Sequence, residues 1–286
     1  MNKTAVRLYI SDLDGTLLRN DAMLSGYTKQ KLNELLSDGL HFTVASARNV
    51  HSVRALLAGL NMNLPVIGSN GAYISEFETG SPLMINSIDN DVAKEIFSLI
   101  GSHGSVPFVT SHNGKEDCLY LDKIINDGML WYLNERTWAG DKRLRMTNNV
   151  EEKLDERIIC LNVINTKEHL EDLFTDIISR YTELVEVNYF ENPYSPGWYW
   201  MTVYDRKATK EHAIKSLMEM LALQVSELTV FGDSRNDISM FKIASKAVAV
   251  ANALDEVKSY ASEIIGPNEE DGVVNYISSD LARNNG

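Results

Sequence analysis

Residues 6–16 read VRLYISDLDGT, a short apolar run, β-branched in part, that closes on two aspartates two positions apart and a glycine. Strand-length apolar runs of this kind recur, and helical stripes separate them. Leu32, Leu35 and Leu36 follow at i, i+3 and i+4, with Gly39 as a stop; His41 to Ala45 reads as a second strand ending at Ser46. Arg54 to Leu60 suggests a short helix, and Pro65 to Gly68 a third strand ending at Ser69-Asn70-Gly71. Strand, helix, strand, helix, strand with short links predicts an α/β fold: a right-handed, Rossmann-like parallel sheet with helices on both faces. The same grammar returns late in the chain. Ile214, Leu217, Met218 and Leu221 form a helical stripe; Leu228–Phe231, Ala247–Val250 and Glu263–Ile265 read as strands. These strands are continuously apolar, as a sheet buried on both faces requires.

The middle of the chain reads differently. It carries longer helical stripes, such as Leu170, Leu173, Phe174, Ile177 and Ile178. Strand-like stretches lie between them at Arg157–Val163, Val185–Phe190 and Trp198–Tyr204, and Pro193, Pro196 and Gly197 punctuate the return. We expect an α+β domain inserted at 88–197 into a core made of 1–87 plus 198–286. The aromatic residues of 189–200, with Trp131, Tyr132 and Trp138, are expected to pack the insert.

Composition bounds the function. The 286 residues are 44% hydrophobic and carry a net charge of −13, which suits a globular protein and disfavours nucleic-acid binding. The start, MNKTAVRLYISDLDG, has no signal-peptide apolar stretch, and no run reaches membrane-span length, so a cytoplasmic protein without a membrane partner is expected. Cys118 and Cys160 form no CxxC pair and are expected as reduced thiols. No pair of the six histidines has zinc-ligand spacing.

Ligands of open parallel sheets bind beyond the carboxyl ends of the strands. The residues there are Asp12-Leu13-Asp14-Gly15-Thr16, Ser46-Ala47-Arg48, Asn70-Gly71 and Gly232-Asp233-Ser234-Arg235-Asn236-Asp237. One shared rim would bring Asp12, Asp14, Asp233 and Asp237 together. Unit charges about 4 Å apart repel by about 4 kcal/mol at an effective dielectric of about 20, so protons or a multivalent cation must compensate them. An all-oxygen donor set selects a hard cation, Mg²⁺ before Ca²⁺. At a strand end, residues i and i+2 point to one side, so one carboxylate can attack phosphorus while the other serves the leaving group.

Asp12-Leu13-Asp14-Gly15-Thr16 followed by Gly232-Asp233-Ser234-Arg235-Asn236-Asp237 resembles the haloacid dehalogenase superfamily of phosphatases, in its Cof-type subgroup with a large inserted cap. Further marks are Ser46 with Arg48, Asn70-Gly71-Ala72, Lys210, Met240, Asn252-Ala253 and Asp271-Gly272-Val273. The resemblance covers both core segments and is weak inside the insert. It implies a Mg²⁺-dependent hydrolase of small phosphorylated metabolites, sugar phosphates first. Asp12 would be the nucleophile and Asp14 the acid and base. Mg²⁺ would sit on Asp12, the Asp14 carbonyl and Asp233, with Asp237 in support. Ser46, Ala47, Lys210 and Asn236 would bind the phosphoryl oxygens.

This chain departs from the pattern at Ala47, which stands for a glycine, and at Glu211, another glycine position. Lys207 is the rival of Lys210, Ser46 also reads as an ordinary helix cap, and Arg48 stays open between structural and phosphate-adjacent roles. A phosphomutase would share Asp12. A phospho-accepting signalling module would need neither Asp14 nor the insert. Oligomeric state is not legible.

Overall fold

The computed structural model describes residues 6–192, 194–223 and 225–284; Pro193 lies outside them. In chain order the elements are β1 (Val6–Ser11), α1 (Gly26–Ser37), β2 (His41–Val44), α2 (Val50–Leu56), β3 (Val66–Gly68), β4 (Tyr73–Ser75) and β5 (Pro82–Ile85). There follow α3 (Asn90–Ser102), β6 (Pro107–His112), β7 (Asp117–Leu121), α4 (Asp127–Trp138), β8 (Leu144–Met146), β9 (Arg157–Asn165), α5 (Lys167–Tyr181), β10 (Val185–Glu191) and β11 (Tyr199–Asp205). The chain closes with α6 (Lys210–Met220), β12 (Val225–Gly232), α7 (Ile238–Phe241), β13 (Lys246–Val250), α8 (Asp255–Lys258), β14 (Glu263–Ile265) and α9 (Gly272–Asn284). Two compact units result: residues up to 85 with those from 208 on, and residues 86–207.

The first unit is built on a five-stranded sheet in the order β14-β13-β12-β1-β2. Every pairing in it is parallel. Leu8, Tyr9, Ile10, Phe42, Val44, Val230, Phe231 and Val248 have no exposed surface, so the strands are covered on both faces as their unbroken apolar runs require. Each such side chain contributes about 1.5–3 kcal/mol relative to an exposed one.

Two elements differ from the sequence expectation. The helix anticipated at 54–60 begins earlier, because Asn49 caps it: its Oδ1 accepts from Ser52 N–H at 3.0 Å. The third strand, β3, touches the parallel sheet through a single bridge between Ala45 and Ile67. Its ladder partner is β4, antiparallel, and β5 completes a three-stranded meander. The chain reverses at Ser69-Asn70-Gly71, where φ is positive at all three residues.

The second unit holds a six-stranded sheet in the order β10-β11-β9-β6-β7-β8. It is antiparallel except where β7 meets β8. Alternate residues feed two apolar clusters, one per face. Val109, Cys118, Leu161 and Val163 pack with α3 and α5, whereas Phe108, Leu119, Leu121 and Ile164 pack with Met129 of α4. Strand β11, placed by sequence on the core side of a boundary at 197, pairs with β9 and β10 and so belongs to this sheet. Tyr132 packs edge-on to Phe108 and Trp200, each at 4.8 Å between ring centroids. Trp138 breaks the packing expectation: it sits at the last turn of α4 and is 82% exposed. Cys118 and Cys160 are both buried free thiols. Burial pushes the Cys160 thiol up to about 11. Among the described residues, no helix is long and apolar enough to cross a membrane.

Candidate active site

At the end of β1 the ladder runs one residue further, with Asp12 N–H donating to the Phe231 carbonyl at 2.9 Å, and the chain then turns. Gly15 makes the turn at φ +75°. A Cβ there would fall 2.6 Å from Asp233 Oδ2, so the glycine serves both backbone and neighbour. At the end of β12, a Cβ on Gly232 would fall 2.6 Å from the Asp237 side chain. Gly15 leaves room for a carboxylate of the facing loop and Gly232 for one of its own loop.

The three side chains Asp12, Asp233 and Asp237 each place an oxygen within 4.8 Å of the others. Lys210, the first residue of α6, enters this cluster fully buried. Its Nζ donates to Asp12 Oδ1 at 2.5 Å and to Asp237 Oδ1 at 2.6 Å. Its rival Lys207 is exposed and lies in the other unit. Glu211, the departure beside it, pairs on the surface with Lys215 at 2.6 Å and does not disturb the lysine.

Asp237 is spoken for on both oxygens. Oδ2 accepts from the Asp233 and Ser234 N–H groups, each at 2.9 Å, while Oδ1 takes Lys210. Asp233 is aimed by two hydroxyls, Thr16 at 2.8 Å and Ser234 at 3.0 Å. Asp12 Oδ2 has no donor among the described residues.

Three carboxylates against one ammonium leave two negative charges in a desolvated place. Burial pushes the Asp12 carboxyl up to about 8, against the pull of Lys210 and with the help of Asp237 and Asp233. Burial and the Asp237 charge also raise Asp233. Burial lowers Lys210, but its two carboxylate partners outweigh that and hold it above the usual lysine range. The cluster therefore takes up a proton or a cation, and its all-oxygen donors and residual charge of −2 fit a divalent ion.

Asp14 stands apart from the cluster that the sequence expectation gave it. Its carboxylate is gripped by Arg48, Nε to Oδ2 at 2.7 Å and Nη2 to Oδ1 at 2.6 Å, and its side chain is 49% exposed. β1 ends at Ser11, so the i, i+2 rule of a strand does not govern this pair, and Asp14 meets Arg48 of the loop after β2 instead. Ser46 is buried, and its Oγ accepts from Arg48 N–H at 3.1 Å. Ala47 is exposed and is not among the positive-φ residues, so its methyl is accommodated without strain. Asn236 Nδ2 donates to Asn70 Oδ1 at 3.0 Å. Asn252 Nδ2 donates to the Gly15 carbonyl at 2.7 Å and pins the turn behind Asp14. Sequence alone left Arg48 open between structural and phosphate-adjacent roles and gave Asn70 and Asn252 none, because no residue type announces a hydrogen bond to a distant loop.

The sequence profile of the haloacid dehalogenase-like hydrolases matches residues 9–277. The chain belongs to that family. This hydrolase is 29% identical to phosphatase YwpJ of Bacillus subtilis, over 94% of its own length and 97% of the relative's. It is 23% identical to the 5-amino-6-(5-phospho-D-ribitylamino)uracil phosphatase YitU of the same organism, over 96% and 97% of the two chains. Among solved structures it is similar to TM0651 from Thermotoga maritima, with a TM-score of 0.75 and 26% identity over 94% and 95% of the chains. This haloacid dehalogenase-like hydrolase is an enzyme, and the acidic cluster with its buried lysine is its candidate active site.

Proposed function

We propose that this hydrolase is a Mg²⁺-dependent phosphatase of the Cof-type subgroup, acting on small phosphorylated metabolites with sugar phosphates foremost. One observation carries the reading. Asp12 offers an unengaged carboxylate oxygen, Oδ2, while Lys210 holds its other oxygen and Asp233 stands beside it.

Asp12 Oδ2 attacks phosphorus and the ester oxygen departs, leaving an aspartyl phosphate. Asp14, protonated and released from Arg48 when the ester binds, gives its proton to that oxygen, and the resulting carboxylate takes one from the water that hydrolyses the intermediate. Ser46 Oγ–H, the Ala47 N–H, Lys210 and Asn236 bind phosphoryl oxygens and offset the charge that builds on them. Asp12, the Asp14 carbonyl and Asp233 would hold Mg²⁺, whose chemistry is to neutralise the carboxylates and the phosphoryl group; Asp237 keeps Lys210 and the 233–234 turn in place. The unit at 86–207 is assigned the choice of substrate. The names of the two relatives support phosphomonoester hydrolysis, one of them on a phosphorylated ribityl compound.

A phosphate-release screen with Mg²⁺ over sugar phosphates, phosphorylated cofactors and nucleotides tests this. Release from sugar phosphates is expected. Sugar consumption without free phosphate, or no turnover of any ester, would reject it.

A further inference from the structure

Ser69, Asn70 and Gly71 have φ of +50°, +57° and +102° in succession. Positive φ is uncommon outside glycine, and two such residues in a row persist only where their surroundings hold them. Those surroundings are the loops that carry the phosphoryl-binding groups. Ser69 N–H donates to the Arg48 carbonyl at 2.8 Å and Asn70 N–H to the Ser46 carbonyl at 3.0 Å, so the turn grips the loop after β2. Asn70 Oδ1 accepts from Asn236 Nδ2 at 3.0 Å, which ties in the loop after β12. A Cβ on Gly71 would fall 2.3 Å from the Thr209 carbonyl oxygen. Glycine thus lets the turn seat on the cap of α6, directly before Lys210.

We propose that Asn70 is a positioning residue for phosphoryl transfer. Its backbone sets Ser46, its carboxamide aims Asn236, and the turn it occupies spaces both from Lys210. The inference rests on the phosphatase reading, which assigns those three groups to the phosphoryl oxygens. The left-handed backbone alone does not call for an amide, since glycine adopts φ +57° more readily. An acceptor facing Asn236 is needed only if Asn236 must be aimed.

Asn70→Gly separates the two roles, because it keeps the turn and removes the carboxamide. With p-nitrophenyl phosphate and Mg²⁺, the full chain carrying Asn70→Gly is expected to keep its thermal midpoint. Its kcat should fall about 10- to 100-fold with KM little changed, the scale of loss from a misplaced group. Asn236→Ala should cost at least as much, and the double variant little more than Asn236→Ala alone, because the Asn70 carboxamide acts through Asn236. Orthovanadate, a mimic of the phosphoryl group in flight, should bind Asn70→Gly about tenfold or more weakly. A wild-type kcat in Asn70→Gly, multiplying losses in the double variant, or unchanged vanadate affinity would overturn the proposal. If the wild type hydrolyses no ester, the phosphatase reading falls, and the vanadate arm alone decides the role of Asn70.

Discussion

The Lys210 ammonium lies 2.5 Å from Asp12 Oδ1, in a place where neither side chain reaches more than marginal solvent. The two residues are 198 positions apart in the chain and meet because β1 pairs with β12, the central strand, into which α6 leads. The contact holds Asp12, the proposed nucleophile, and supplies part of the charge compensation the carboxylates need.

Replacing Asp12 by asparagine should keep the fold, since Lys210 retains Asp237 at 2.6 Å, and should remove the attacking oxygen. We expect kcat to fall by at least about 10³-fold with an unchanged circular dichroism spectrum. Wild-type turnover in Asp12→Asn would reject the nucleophile assignment.

Lys210→Met should cost stability as well as activity. Removing one partner of a buried charge pair leaves the others uncompensated, an effect of about 3–5 kcal/mol. Urea unfolding of the metal-free proteins measures it. A loss below about 1 kcal/mol would mean that Asp12 and Asp237 are not held by the lysine as the geometry indicates.

Chelation provides an independent check. EDTA should abolish turnover and Mg²⁺ should restore it. Because the ion would bind only the folded cluster, Mg²⁺ at about a hundred times its Kd should also stabilise the protein by about 2.7 kcal/mol. Full activity in excess EDTA would remove the cation from the account.

Asp280 gives a pH prediction away from the site. Its buried carboxylate accepts from Tyr9 Oη at 2.8 Å and Lys246 Nζ at 2.8 Å. Burial pushes its pKa up, but the hydrogen bonds and the Lys246 charge outweigh that and hold it below the usual carboxylate range. A depressed folded-state pKa means stability that is present above the unfolded value and lost as the pH falls through the folded one. Asp280→Asn should therefore cost about 1–3 kcal/mol near neutrality, and the gap to wild type should close as the pH falls below the ordinary carboxylate range. A gap independent of pH would show that the contribution is not from the ionised carboxylate.

Much of this was legible in sequence because local chemistry marked it. The apolar runs at Leu8–Ile10 and Leu228–Phe231, each closing on acidic residues, located the strand ends and the Asp12, Asp233 and Asp237 positions. Asp14 was legible as a residue but not as the partner of Arg48, since that pairing joins the loops after two different strands. Nor did the pattern show that β3 leaves the parallel sheet: Val66–Gly68 is apolar either way, and the reversal lies in three φ angles. Trp138 looked like packing because hydrophobicity says what a side chain prefers and not whether a neighbour is there to cover it.

The order of residues along the chain by itself determined the α/β class, the strand-end placement of the acidic motifs and the all-oxygen character of the site, because each follows from periodicity and residue type within a short window. Tertiary structure decided the rest: which carboxylates share a cluster, that Lys210 is buried against two of them, and that Asn70 faces Asn236. Those contacts join segments far apart in sequence, so they exist only once strand order and loop geometry have brought the segments to a single rim.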